Sequence, residues 1–446
     1  MNTQFPETSG AWHKRVLMLA WPIILSNLSV PLVGLVDTAV VGQLADPRYM
    51  GSVAIGAVIF SSVFWVFGFL RMGTTGFVSQ AAGANNTQEV RFSLLRALSI
   101  AVLLGGLLIA LQAPVKWLSL SLMGADESLS PLIEAYFETR VLSAPAVFVN
   151  YCILGALIGL QRTGLALLLQ LVLNGSNLIL DVWFVLYLGW DSAGVAMASA
   201  LSEYLAAVLG LWLLRDLLLP SKPVQPTCLS QLYSPESLRA LFVVNGNLFL
   251  RTLFLTSAFF FFTAQGAQFG VVILAANAIL INLLQMLAYG LDGFAHAAEA
   301  LAGGAYGAKK RSAFEQAVKS SSLWAGVMAL VIAVVYFLVG DLIIQGMTVN
   351  ADVVAAAKQY FPWIIAAPLI AVWSYQLDGI FIGATQTEVM RNTVGLALLV
   401  YVLSAYLLIP LLGNQGLWMS LMLFMGLRGV FLYLAYPKLM SQFSQT

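Results

Sequence analysis

Charge is what this sequence has least of. Only 9% of its 446 residues are Asp, Glu, Lys or Arg, where soluble globular domains carry roughly a quarter. A chain so poor in charge cannot solvate the surface of an ordinary soluble domain. Histidine and cysteine are nearly absent, at two residues each. Cys152 falls in an apolar run and Cys228 in a polar one, so no disulfide between them is expected. The formal net charge is +1, with no polybasic or acidic block, which argues against nucleic acid as a partner. No G-x-x-x-x-G-K-S/T loop is present, so ATP-driven work within this chain is excluded, and no nucleophile-plus-base arrangement marks an enzyme.

What is abundant is apolar sequence, 60% of the residues, with a mean hydropathy of +0.88. A helix crosses a bilayer with about 20 mostly apolar residues. Such runs, and the polar breaks between them, predict twelve spans at about 14–40, 50–77, 91–113, 131–157, 163–188, 193–216, 238–264, 269–299, 312–339, 353–380, 388–411 and 414–437. The first run is too long for a signal-peptide core and no small-residue cleavage site follows it, so it is expected to be retained. The one long polar break carries Pro220, Pro223, Pro226 and Pro235. The expected organisation is therefore all-α and polytopic: an N-lobe over 1–216, a linker over 217–237 and a C-lobe over 238–446, six helices in each pseudo-symmetric lobe.

Basic residues orient the spans. Lys14, Arg15, Arg91, Arg162, Arg215, Lys222, Arg239, Lys309, Lys310, Arg311, Arg391 and Lys438 fall in breaks on the side of the N-terminus, whereas Arg48, Lys116 and Lys358 fall opposite. The positive-inside rule then puts both termini and the linker in the cytoplasm. An internal repeat recurs at an offset of 224 residues. Gln80-Ala-Ala-Gly83-Ala84-Asn85 matches Gly304-Ala-Tyr-Gly307-Ala308-Lys309, and Gly155-xxx-Gly159-xxx-Thr163 matches Gly379-xxx-Gly383-xxx-Thr387. Tyr136-Phe137 and Ala144-Pro145 match Tyr360-Phe361 and Ala367-Pro368 with one residue of slip. Six spans per repeat is an even number, so the two copies insert in the same sense. Such a pair is expected to leave a cavity that opens alternately to each side.

At these residues the sequence resembles the multidrug and toxic-compound extrusion family. The paired breaks after spans two and eight carry the resemblance, as do the Ala-Pro pairs of spans four and ten. The stretches Val30-Pro-Leu-Val-Gly-Leu-Val-Asp37-Thr-Ala-Val-Val-Gly42 and Leu291-Asp292-Gly293-Phe294-Ala295 are similar to the DinF-type branch. The resemblance covers essentially the whole chain. It implies a secondary exporter of cationic, amphipathic drugs or toxic metabolites in the bacterial inner membrane. Such an exporter antiports against protons or sodium, needs no cofactor and works as a monomer whose other partner is membrane lipid. Lipid-linked-precursor flippases of related architecture are the other reading. They usually line their cavity with several basic residues, of which Arg71, Arg251 and Arg428 are the few at membrane depth.

A charge at mid-bilayer costs about 2.5–3.5 kcal/mol, so each intramembrane ionisable group is a candidate for function. Asp37 sits between Leu35-Val36 and Ala39-Val40-Val41 with no basic residue within a helical turn. A carboxyl group so placed can take up a proton at one face and release it at the other. Asn174, Asn177 and Asp181 share one face of span five and would hydrogen-bond a protonated acid or offer oxygens to sodium. The resemblance implies that Asp37, Asn177 and Asp181 form the ion-coupling cluster, with Ser199 joining it and Asn150 a looser match. The repeat mates of Asp37, Asn174, Asn177 and Asp181 are Phe261, Leu398, Tyr401 and Ala405, so the cluster is expected in the N-lobe alone. Pro22 matches the proline at which the family's first helix bends. Asp292, His296 and Glu299 share a helical face that reads as a polar seam, a weak metal motif, and no metal site is expected beyond sodium at Asp37, Asn177 and Asp181. Asp378, Asp292, Met286 and Tyr289 are the remaining candidates to line a substrate or cation path.

Overall fold

The computed structural model describes residues 5–44, 46–123, 128–219 and 228–444. Long apolar runs with no water to satisfy their backbone must close their hydrogen bonds internally, and every regular element among the described residues is helical. The N-terminal repeat contains α1 (Ser9–Val41), α2 (Pro47–Val66), α3 (Phe69–Gly83), α4 (Thr87–Ala110), α5 (Gln112–Met123), α6 (Ser130–Val141), α7 (Ala144–Gly159), α8 (Thr163–Asp181) and α9 (Ser192–Leu213). Short helices α10 (Arg215–Leu218) and α11 (Cys228–Leu232) flank residues 220–227, the part of the linker that lies outside the described residues. The C-terminal repeat contains α12 (Pro235–Ala267), α13 (Val271–Gly307), α14 (Arg311–Met347), α15 (Ala351–Gly383), α16 (Thr387–Leu412) and α17 (Asn414–Ser441).

Among the described residues eleven segments are long and apolar enough to cross a membrane, and twelve when the bent pair α6 and α7 counts as one. These match the twelve expected spans. The breaks add detail that hydropathy does not carry. Span two is interrupted at Phe67-Gly68, and span four turns by 49° between α6 and α7, where Pro145 in the first turn of α7 has no N–H to continue a helix. Helix α5 is an extra element outside the spans. Its Lys116 bonds Glu138 at 2.8 Å and Glu134 at 2.9 Å, and these two partners hold the ammonium group above the ordinary lysine range.

The chain packs into two compact units. One comprises residues up to Ile24, Ser79–Asn85 and everything from Phe242; the other comprises Leu25–Val78 and Asn86–Leu241. Helix α1 therefore contributes its first turns to the unit of the C-terminal repeat and its remainder to the other, and the exchange follows two residues after Pro22. The last turn of α3 also belongs with the C-terminal repeat, and the repeat symmetry is visible there. A Cβ on Gly83 would overlap the Gly304 carbonyl, and one on Gly307 would overlap the Gln80 carbonyl. Those residue pairs are mates at the offset of 224, so the two crossings are reciprocal, and only glycine lets the backbones approach so closely. Among the described residues the four non-glycine positions with positive φ are mates too: Asn85 and Lys309 at 55°, Gln161 at 59° and Thr385 at 53°. Cys152 is buried and free.

Candidate functional site

Within the unit built from Leu25–Val78 and Asn86–Leu241 lies a cavity of about 450 Å³. Its walls come from the second half of α1 and from α2, α6, α7, α8 and α9, and five of the expected residues line it: Asp37, Asn150, Asn174, Asn177 and Ser199. The stripe on α8 forms as its spacing predicts. Asn174 donates from Nδ2 to Ser29 Oγ at 2.6 Å and accepts from Gln170 Nε2 at 3.0 Å. Asn177, only 4% exposed, donates to Ser199 Oγ at 3.4 Å. Asp181 is fully buried and closes the α-helical part of span five. The next six residues, Val182–Tyr187, form a π-turn with the i→i+5 bond from Leu188 N to Trp183 O at 3.0 Å. Such turns interrupt α-helices mostly at functional positions.

Asp37 and Asp181 meet carboxyl to carboxyl. Both oxygens of Asp181 and Oδ1 of Asp37 are buried and find no hydrogen-bond donor among the described residues. An ionised carboxylate only accepts hydrogen bonds, so the contact becomes a hydrogen bond only when one of the two carries a proton. Two acids sharing a site do not both ionise cheaply. A proton shared between the two acids would turn the contact into a hydrogen bond.

Sequence reasoning passes over two more charges in the cavity. Arg140, in the last turn of α6, donates from Nη1 to Ser143 Oγ at 2.5 Å, lies 3.8 Å from Glu203 and stacks 5.3 Å above the Phe64 ring. Glu203 on α9 accepts from Asn150 Nδ2 at 2.8 Å. The signal was available, since both are charges well inside apolar runs. Which helix faces meet was not. Arg140 also faces Asp37 and Asp181 electrostatically. Phe60, Phe64, Trp65 and Tyr151 complete an aromatic wall. The cavity walls thus offer two carboxyl groups, Asp37 and Glu203, one guanidinium and flat apolar surface, with Asp181 buried behind Asp37.

The unit of the C-terminal repeat carries different chemistry. At the mates of Asp37 and Asn177 stand Phe261 and Tyr401, whose rings meet edge to face at 5.4 Å and 83°. Tyr401 and Ala405 are fully buried, so aromatic packing fills the place of the acid pair. Asp378 is not open to a passing cation. Its Oδ2 accepts from Arg428 Nη2 at 2.7 Å and from Arg251 Nη2, and all three residues are buried. Two guanidiniums thus face the one carboxylate, the pairing that the sequence left open for Arg251. Asp292, His296, Met286 and Tyr289 lie along α13, where Met286 is 50% exposed, and none of them borders the cavity of Asp37. Among the described residues no group of three or more His, Cys, Asp or Glu is gathered for a metal.

The fold and this cavity can be set beside known proteins. The MatE family model matches residues 22–183 and 248–407. The DNA damage-inducible protein F of Escherichia coli is 39% identical over 419 residues, which cover 94% of this chain and 90% of that one. A probable multidrug resistance protein NorM of Acinetobacter baylyi is 27% identical over 201 residues, 44% of each chain. A solved MOP superfamily transporter from Pyrococcus furiosus shares the fold, with a TM-score of 0.86 at 18% identity over 99% of this chain and 100% of that one. The chain is a membrane transporter that belongs to the multidrug and toxic-compound extrusion family, in the branch of the DNA damage-inducible protein F.

Proposed function

We propose that this transporter exports cationic, amphipathic organic compounds by alternating access in exchange for protons, with Asp37 and Asp181 as the coupling pair. The observation that carries this reading is the donor-free contact between the two carboxyl groups. When the pair loses its proton the cavity gains a negative charge and holds an organic cation against the aromatic wall. When a proton returns, that charge is lost and the cation is released. Competition for one charge gives exchange without direct contact between drug and proton. Asn177 and Ser199 hold the orientation of the stripe, and Glu203 offsets Arg140. The oxygens of Asp37, Asn177, Asp181 and Ser199 would suit sodium, but the contact between the two carboxyl groups needs only a proton to become a hydrogen bond, which weighs for protons. The presence of one basic residue among the cavity walls weighs against a lipid-linked phosphate as cargo. The excess of Lys and Arg in alternate breaks supports an inner-membrane orientation with both termini in the cytoplasm.

The test is transport of an organic cation such as ethidium into everted vesicles, with a pH gradient and a sodium gradient imposed separately. A pH gradient alone is expected to drive uptake. Transport driven only by sodium would move the coupling role to that ion, and transport under neither gradient would defeat the antiport reading.

A further inference from the structure

A second cavity, of about 520 Å³, lies wholly in the unit of the C-terminal repeat. Met18, Trp21 and Pro22 of α1, Phe294 of α13, and Val327 and Val331 of α14 supply its apolar walls. It does not belong to the acid site. Position along the helices says what surrounds it. On α14 the polar sequence Lys319-Ser-Ser-Ser322 gives way at Leu323-Trp324 to an apolar run, and on α1 the polar segment His13-Lys14-Arg15 gives way at Val16. The cavity therefore begins at the polar–apolar boundary of two spans and extends about two turns into the hydrocarbon.

Trp324 stands at that boundary and borders the cavity. Tryptophan is enriched at this level of a membrane because its ring is apolar and its N–H is not. A buried indole N–H normally finds an acceptor. Here Trp324 Nε1 is buried with none among the described residues. The ring of His13 lies edge-on at 6.4 Å, and His13 Nδ1 is likewise buried without a partner. Trp324, a wall of an otherwise apolar slot, thus carries an unsatisfied N–H, and the unpartnered His13 Nδ1 lies on the ring beside it, with Lys14 and Arg15 next in sequence. At this depth the matching chemistry is an ester carbonyl above an acyl chain and a phosphate beyond it.

We propose that this slot binds one phospholipid, with an acyl chain against Met18, Trp21, Pro22, Phe294, Val327 and Val331, its ester carbonyl accepting from Trp324 Nε1 and its phosphate beside His13 and Lys14.

The experiment reconstitutes the full chain in vesicles doped with a phosphatidylglycerol that carries a diazirine in one acyl chain, and maps photo-crosslinks by mass spectrometry. Crosslinks are expected on residues 17–22 and 324–331 at several times the yield on Phe337 and Leu342, which are 72% and 69% exposed on the same helix. Val327→Trp fills the slot and should cut the first set about tenfold while leaving the second unchanged, which also reports that the variant is folded. Trp324→Phe keeps the chain in place but removes the donor, and should shift the labelled positions along the helices. Equal yields at both sets, or no response to Val327→Trp, would overturn the proposal. Loss of the crosslinks on adding a transported cation would overturn it too, by making the slot a substrate site.

Discussion

Replacing Asp37 by Asn isolates what a shared proton does. The side chain keeps its shape, but its Nδ2 becomes a permanent donor facing Asp181. The contact that in the parent needs a proton to become a hydrogen bond is then satisfied at every pH. On the proposed mechanism, one proton and one organic cation compete in the parent for the same negative charge. Linkage of one proton changes an apparent affinity by at most tenfold per pH unit, about 1.4 kcal/mol. Over two pH units that span the pair's titration, cation affinity should therefore rise with pH by up to about 100-fold, or roughly 2.7 kcal/mol. Protonation removes the charge, so the sign is fixed: tighter binding at higher pH. In Asp37→Asn the affinity should vary by less than about threefold across the same range, and pH-driven uptake into everted vesicles should vanish. Ethidium fluorescence titrated at a series of pH values, on purified protein without any gradient, reads the slope directly. A variant that keeps the parent's slope would refute the reasoning and leave Glu203 as the remaining acid of this cavity.

Other consequences follow from packing and charge. Gly83→Val places a side chain on the Gly304 carbonyl and should cost about 1–3 kcal/mol, read as a lower melting temperature, whereas Gly175→Ala, with nothing within 4 Å of the added atom, should melt like the parent. Asp378→Asn leaves Arg251 and Arg428 buried without their counter-charge and should destabilise the protein by about 3–5 kcal/mol, visible as loss of monodisperse protein on size-exclusion chromatography. Pro22→Ala restores a backbone donor in α1 and should slow transport severalfold at equal expression; unchanged rates would make Pro22 a static feature. A cysteine introduced at 222 in a Cys152→Ala, Cys228→Ala background should resist an impermeant thiol reagent applied to intact cells, and labelling from outside would reverse the topology.

Much of the fold is legible because hydropathy alone, summed over about 20 residues, decides what sits in a bilayer. The twelve runs and the glycine-rich breaks at Gly83 and Gly307 needed no partner information. The stripe of Asn174, Asn177 and Asp181 was equally readable, since helical spacing puts all three on one face whatever that face meets. What stayed hidden were choices of partner. Arg140 and Glu203 lie 63 positions apart and meet only because of how α6 and α9 are rotated about their axes. Asp378 draws its guanidiniums from α12 and α17, and no local pattern announces which buried charges will pair. Hydropathy is also blind to breaks that leave a run apolar, such as Phe67-Gly68 and the π-turn after Asp181. The sequence halves, finally, are not the packing units, because α1 passes from one unit to the other just after Pro22.

The two repeats share backbone geometry and differ in charge, and that difference bears on how one ion can drive transport. Close crossings conserve their glycines in pairs: Gly155 lies on the Arg71 carbonyl as Gly379 lies on the Ala295 carbonyl, its mate. Side chains have diverged around this frame. Asp37 and Asn177 give way to Phe261 and Tyr401, and Arg140 and Glu203 to Ile364 and Leu427. A carboxyl group changes its charge cheaply where its neighbours do not already fix it, as at the donor-free pair of Asp37 and Asp181. Asp378 has two buried guanidiniums on one oxygen, so protonating it would strip both of their counter-charge inside the protein. A charge change is thus easier at the pair of Asp37 and Asp181 than at Asp378. On the proposed exchange mechanism that asymmetry is useful, because a second titrating site at Asp378 would offer the ion a route that no cargo controls.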